Sequence, residues 1–204
     1  MNDGLDLAAG RRVSRETGDQ VQVFAQLLRD ESSRQNLIAA STLETLWERH
    51  ILDSAQLARF GPSSAKWVDV GSGAGLPGII LAALLQRSSV TLVEPRRLRA
   101  EFLERAVQQL GLDTKVITAK VERVEGCFDV ITARAVASLD RVLRLTSHLS
   151  HPGTLWVLPK GRKAKSELEE ARRSWHYEVR VEPSITDPAS EILLLSKVKA
   201  KSSR

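Results

Sequence analysis

The sequence predicts a doubly wound α/β domain that carries a helical extension at its N-terminal end. Three observations predict it. After residue 65, short apolar runs alternate with stretches of helical spacing, the pattern of a parallel sheet covered on both faces. The first of those runs leads directly into a glycine-rich loop, Gly71-Ser-Gly-Ala-Gly-Leu-Pro-Gly78. In the first sixty residues the apolar positions instead repeat every three or four residues.

The elements follow in order. Residues 1–16 read as a polar leader. Thr17-Gly18-Asp19-Gln20 has the form of a capping box, and Val21, Phe24, Ala25 and Leu28 continue a helix behind it. Ser41-Thr42-Leu43-Glu44 is a second such box. It opens a helix with Leu43, Leu46, Trp47, His50, Ser54 and Leu57 along one side, and Gly61-Pro62 closes the extension (residues 17–62). Within residues 63–198, Trp67 to Val70 is a strand, and Pro77 stands where the first turn of the next helix begins. Val90 to Val93 is a second strand, and a helix through Leu98, Phe102, Ala106 and Leu110 ends at Gly111. Lys115 to Ala119 and Phe128 to Thr132 are strands, followed by a helix from Leu139 to Leu149 and a strand from Thr154 to Leu158. A basic loop, a helix from about Ser166 to Trp175, and an antiparallel pair (Tyr177 to Val181, Ile192 to Lys197) complete the domain. Residues 199–204 read as a basic tail.

Composition excludes several classes. One cysteine, Cys127, leaves no internal disulfide framework or thiolate-rich zinc site and fits a reducing compartment. The longest apolar stretch, Gly78 to Leu85, falls far short of the roughly 18 residues a membrane span needs. The histidines share no metal-ligand spacing with an acidic cluster, so no metal is expected. Lys and Arg number 30 against 25 Asp and Glu, a net charge of +5. The first sixty residues carry seven basic and nine acidic side chains, and the remainder 23 and 16. A basic main body suits a polyanionic partner and equally an ordinary basic surface.

In an open α/β sheet, ligands sit beyond the carboxyl ends of the strands. The loop after Asp69-Val70 lies there. Its glycines allow close backbone approach, and the helix that follows offers free N–H groups. Glu94 lies 25 positions after Asp69, at the tip of the second strand, where a carboxylate accepts hydrogen bonds from both hydroxyls of an adenosine ribose. Gly73-Ala-Gly-Leu-Pro-Gly78 also fits G-x-G-x-x-G, but Tyr177 has no lysine four residues on, and no phosphate loop of the G-x-x-x-x-G-K-[ST] form is present. The Asp-Val-Gly-x-Gly-x-Gly form resembles motif I of class I S-adenosylmethionine methyltransferases.

Four segments together resemble one family, the bacterial 16S ribosomal RNA (guanine-N7) methyltransferases called RsmG or GidB. They are Arg49-His-Ile-Leu-Asp-Ser54, Asp69 to Ile79 with its Gly-Leu-Pro-Gly, Ile131-Thr-Ala-Arg-Ala-Val-Ala-Ser-Leu139 and Lys160-Gly161. Gln35-Asn-Leu-Ile38 is similar to the family's Asn-Leu-Thr segment. The resemblance covers roughly residues 20–165. It implies S-adenosylmethionine contacts at Gly71 and Leu76, at Val121 and Glu122 after the third strand, and at Arg134 after the fourth. Gly73, Gly75 and Glu94 join them from the loop reading. Pro159, before Lys160-Gly161, departs from the family pattern and predicts a locally altered sheet edge.

Guanine N7 carries a lone pair and no proton, so its methylation needs no general base, and no residue is assigned as one. RNA contacts are expected from Arg96, Arg97, Arg99, Arg123, Lys160, Arg162, Lys163 and Lys165, with Lys160 foremost, and from the C-terminal Lys197, Lys199, Lys201 and Arg204. His50 is a further candidate on the pocket wall or a core histidine, and Arg49 with Asp53 has the spacing of a surface pair. The expected partner is 16S RNA in the small subunit or an assembly intermediate, met in the cytoplasm by a monomer without a membrane. A small-molecule or protein substrate, or a nucleotide- or RNA-binding module without catalysis, stands as the alternative.

Overall fold

A seven-stranded sheet in the order β3-β2-β1-β4-β5-β7-β6 organises the chain in the computed structural model, which describes residues 3–62 and 64–201. The strands are β1 (Lys66–Val70), β2 (Ser89–Val93), β3 (Thr114–Ile117), β4 (Val130–Thr132), β5 (Leu155–Lys160), β6 (Trp175–Pro183) and β7 (Glu191–Ala200). The first five are parallel; β7 runs antiparallel to both β5 and β6. Strand order reverses between β1 and β4, which places a ligand crevice at the ends of these two strands.

Alternation along each strand divides the interior. Trp67, Val90, Leu92, Val130, Val157, Ile192 and Leu194 face one apolar cluster, and Val68, Val70, Val93, Ile131, Trp156, Leu158, Leu193 and Leu195 face another. The helices α6 (Leu139–Thr146) and α7 (Ala164–Ala171) cover the second cluster. The first is covered by α4 (Gly78–Leu84), α5 (Arg97–Leu110) and the whole N-terminal region. Phe24 and Phe102 stack there with ring centroids 6.5 Å apart.

The N-terminal region differs from the sequence reading in three ways. Residues taken for a polar leader form α1 (Asp3–Ala9), whose Leu5, Ala8 and Ala9 are buried. Helix α2 (Arg15–Gln35) starts ahead of the proposed Thr17 box, because Ser14 is the cap: the Thr17 N–H donates to Ser14 Oγ at 3.0 Å. The second box opens only a 3₁₀ turn, Ala40–Thr42. The chain then winds through a π-helical stretch, Trp47–Leu52, a single turn α3 (Asp53–Ala55), and a 3₁₀ turn, Gln56–Arg59. Helix α1 packs behind this segment, and Arg11 ties the two together by donating to the Ala58 carbonyl at 2.6 Å.

Elsewhere the boundaries shift by a few residues. Gly111 takes the left-handed conformation (φ 63°) that closes α5. Pro159 does not disturb the sheet. It pairs with Ile192 beyond the point where β4 stops at Thr132–Val157, so its missing N–H is not needed on that side. The supposed tail begins inside β7, which continues to Ala200; Arg204 lies outside the described residues.

Because Leu5 is 1% exposed, Leu5→Ala should lower unfolding stability by about 2–5 kcal/mol. Urea denaturation checks this, and a loss under about 0.5 kcal/mol would mean that α1 is a dispensable leader after all.

Candidate active site

The glycine loop is shaped by its backbone. Gly71, Gly73 and Gly75 have φ of +69°, +52° and +83°, a region that side chains disfavour. The N–H groups of Gly71 and Ser72 donate to the Val93 carbonyl at 2.8 and 3.0 Å, which fastens the loop to the end of β2. Glu94, next in sequence, is 3% exposed. Its Oε2 accepts from the Gly73 N–H (2.9 Å) and its Oε1 from the Arg96 N–H (2.8 Å). One buried carboxylate therefore joins the loop to the start of α5.

A cavity of about 440 Å³ opens above these groups. Gly71, Gly73, Leu76 and Glu94 line it, and Arg134 closes one side. Leu37 and Ile38, from the segment that resembles Asn-Leu-Thr, add an apolar wall with Val136. Arg96 and Arg99, expected on the RNA, line this cavity instead; Arg97 pairs with Glu101 on the exposed face of α5 at 3.1 Å. Gly75 does not line it. A Cβ there would meet Ile79, Phe24 and Leu103 at 2.8 to 3.1 Å, so this glycine serves the packing of the loop onto the core. Val121 is buried in the second apolar cluster and Glu122 is exposed on the turn after β3; neither lines the cavity.

Asp69 lies beneath the loop, 1% exposed. Its Oδ2 accepts from the Gly78 N–H at 3.1 Å, and Oδ1 has no partner among the described residues. Gly78 must be a glycine for that approach, since a Cβ would lie 2.5 Å from Oδ2 and 2.3 Å from Leu92. Burial pushes the carboxyl up to about 7, opposed by hydrogen bonding and by the field of Arg134.

Arg134 follows β4 and is held on two sides. One amino group donates to Asp53 Oδ2 at 2.9 Å and the other to His50 Nδ1 at 3.0 Å. Guanidinium only donates, so Nδ1 must be an acceptor and the imidazole proton resides on Nε2, which donates to Thr42 Oγ1 at 2.9 Å. The Thr42 hydroxyl in turn donates to the Ala39 carbonyl (2.8 Å). Burial, then the Arg134 charge, lowers the His50 pKa to about 4, which keeps the ring neutral. Asp53 Oδ1 accepts from Thr186 Oγ1 and Gln56 Nε2, both at 2.9 Å. Asp53 thus pairs with Arg134, and the expected surface pair with Arg49 is not formed. The π-helical turn sets His50 and Asp53 side by side.

On the far side of Arg134 lies a second cavity, of about 430 Å³, whose lining includes Arg49, Lys160, Glu167 and Ser190. Arg134 and Ala135 belong to both cavities. Ala135 has φ +56°, a strained conformation for a residue with a side chain, and it is held at this shared wall. Lys160 does not extend towards a partner. Its side chain is 9% exposed and its ammonium donates to the Ala137 carbonyl (2.9 Å) and to Glu167 Oε2 (2.8 Å). The same oxygen accepts from the Leu139 N–H (2.7 Å), which caps α6. His50 is likewise committed at both nitrogens. Of the remaining RNA candidates, Arg123, Arg162, Lys163 and Lys165 are exposed. The Ala189 N–H and the Ser190 hydroxyl, with smaller help from the fields of Arg49 and Arg162, hold the Asp187 carboxyl below the usual range. Arg49 lines the second cavity, and Arg162 directly follows Gly161 of the same lining. Lys197 pairs with Glu178, and Lys201 donates to the Arg172 carbonyl. Among the described residues no cluster of His, Cys, Asp or Glu has the makings of a metal site.

Sequence reasoning missed Asp53 as the partner of Arg134, together with Thr42, Gln56 and Thr186 around it. The three-residue spacing of His50 and Asp53 was the available signal, since it puts both on one side of a helix.

A sheet of this order, with a glycine loop after β1 and an acidic residue after β2, defines the class I S-adenosylmethionine-dependent methyltransferase fold. Solved structures agree: M. jannaschii TYW2 in complex with AdoMet superposes with a TM-score of 0.56 (15% identity; 74% of this chain, 76% of that one). The ribosomal protein L11 methylase of Lactobacillus delbrueckii subsp. bulgaricus gives 0.58 (19% identity; 73% and 78%). The GidB family model, rRNA small subunit methyltransferase G, matches residues 18–191, and the chain belongs to that family. The Ribosomal RNA small subunit methyltransferase G of Zymomonas mobilis is 46% identical over 199 residues, 93% of this chain and 90% of the relative.

Two predictions test the site. Ionising a buried Asp69 opposes folding, because the folded carboxyl holds its proton up to about pH 7 and the unfolded one releases it near 3.8. Stability should therefore fall as pH rises between these values. Asp69→Asn should be flat in that window, so its stability relative to the unmodified chain should increase from pH 5 to pH 7 in urea titrations. A difference independent of pH contradicts the assignment. Separately, Asp53→Asn leaves the Arg134 charge unbalanced beside the first cavity. S-adenosylmethionine binding should weaken by about 10-fold or more in calorimetry, and an unchanged affinity would show that the pair plays no part in the site.

Proposed function

We propose that this chain transfers the methyl group of S-adenosylmethionine to N7 of a guanine in the 16S RNA of the small ribosomal subunit, acting in the cytoplasm as a monomer. The observation that carries the reading is the meeting of two cavities at Arg134 in a member of this family. The first cavity suits the cofactor. Glu94, with lone pairs left over from its two backbone bonds, would take the ribose hydroxyls, and Leu37, Ile38 and Leu76 would cover apolar surface. Bound there, the cofactor supplies an electrophilic sulfonium methyl. Asp53 offsets the Arg134 charge, so a cationic ligand is not repelled from the shared wall.

Among the described residues, the titratable side chains that surround Arg134 at the shared wall are already committed, which fits an acceptor atom that has no proton to lose. Both nitrogens of His50 and both oxygens of Asp53 are bonded within the protein, and Asp69 is sealed beneath the loop. What these residues do is hold position, and positioning alone supplies a large part of the rate for a displacement between two bound partners. Exposed Arg49 in the cavity lining, with Arg162, Lys163 and Lys165 after Gly161, would meet phosphates.

The test is methyl transfer from labelled cofactor to 30S particles isolated from cells lacking the gene, with the modified base mapped by mass. One new N7-methylguanosine in 16S RNA is expected, and Glu94→Ala should raise the cofactor Kd about 10-fold or more. Label in no RNA, or on another atom, overturns the proposal.

A further inference from the structure

We propose that the second cavity receives the target base itself and that Glu167 determines its identity by accepting a hydrogen bond from the guanine 2-amino group. The inference rests on the methyl-transfer reading above and assigns the substrate half of that site.

The sheet fixes the direction of the pocket. Along the carboxyl ends of the strands, the glycine loop and Glu94 belong to β1 and β2, Arg134 to β4, Lys160 to β5 and Glu167 to α7 behind it. Passing from Arg134 to Glu167 therefore leads away from the cofactor cavity. In guanine, N7 and the 2-amino group lie at opposite ends of the purine. A base whose N7 meets the methyl at the Arg134 wall points its 2-amino group towards Glu167.

Glu167 is prepared for such a donor. Its Oε2 is fixed by the Leu139 N–H and the Lys160 ammonium, at 2.7 and 2.8 Å. Its Oε1 has no hydrogen-bond partner among the described residues, and the side chain is 20% exposed at the cavity wall. A carboxylate oxygen only accepts, so an immobilised Oε1 selects a ligand with a donor at that end. Adenine has its amino group beside N7 instead and leaves the far end without one. The buried Lys160 thereby gains a purpose: it locks the reading carboxylate.

The experiment compares two 30S substrates that differ at the mapped target nucleotide, one with guanosine and one with inosine, which lacks only the 2-amino group. The unmodified enzyme should show a kcat/KM about 10- to 100-fold lower on inosine. In Glu167→Gln the amide oxygen must take the Oε2 position, which faces two donors, so the amide nitrogen replaces Oε1 and confronts the 2-amino group with another donor. This variant should methylate guanosine poorly and lose the preference, with a ratio near one or below. A merely structural role would lower both rates and leave the ratio intact. Equal turnover of the two substrates by the unmodified enzyme, or an unchanged ratio in Glu167→Gln, overturns the assignment while N7 methylation stands. Absence of any N7 methylation by the unmodified enzyme overturns the proposed function and this inference with it. If Glu167→Gln does not fold, Lys160→Met, which frees the carboxylate that Lys160 locks, should narrow the guanosine-to-inosine ratio, and an unchanged ratio overturns the assignment.

Discussion

The guanidinium of Arg134, held between the Asp53 carboxylate and a neutral His50, is the interaction on which the rest of this site depends. Arg134 and Asp53 are less than one-fifth exposed, so the pair is desolvated, and removing one partner would leave an uncompensated charge. That asymmetry makes the pair a device for position more than for stability. It fixes the wall between two cavities and draws three distant segments together: the turn at Thr42, the irregular helix through Gln56, and the loop at Thr186.

The N-terminal region then has a structural explanation. It is less an appendage than the support of the clamp, for α1 packs behind the segment that carries His50 and Asp53, and α2 shares the apolar cluster beneath the glycine loop. Gly75 shows the coupling: the loop reaches its shape because Phe24 of α2 and Leu103 of α5 occupy the space a Cβ would fill. Glu94 repeats the principle on the cofactor side, where one carboxylate bonds the loop and the start of α5 at once. Lys160 and Glu167 do so on the other side, between β5, α6 and α7.

Much of this was legible in the sequence. Apolar runs of strand length separated by helical periods gave the sheet, and the glycines after Asp69 with Glu94 25 positions later located the cavity. Such features are readable because they are local: period, turn chemistry and spacing act within a few residues. The errors arose where tertiary contacts decide. Nothing near Leu5 announces that a charged leader will fold against Ala58, and the Thr17 box lost to Ser14 because a cap depends on which side chain reaches the free N–H. Lys160 was expected to face RNA because lysines usually remain in solvent, yet Glu167 and the Ala137 carbonyl supply the partners that permit its burial. Asp53 was matched with Arg49 by spacing along a regular helix, whereas the chain there is π-helical and its true partner lies 81 residues away.

The clamp can be observed directly at His50. Nitrogen-15 NMR of the imidazole reports which ring nitrogen carries the proton and at what pH the second is gained. A neutral ring protonated on Nε2 at pH 7, and titrating near 4, is the predicted result. A proton on Nδ1, or titration close to 6.5, would mean that His50 does not accept from Arg134 and would contradict the account.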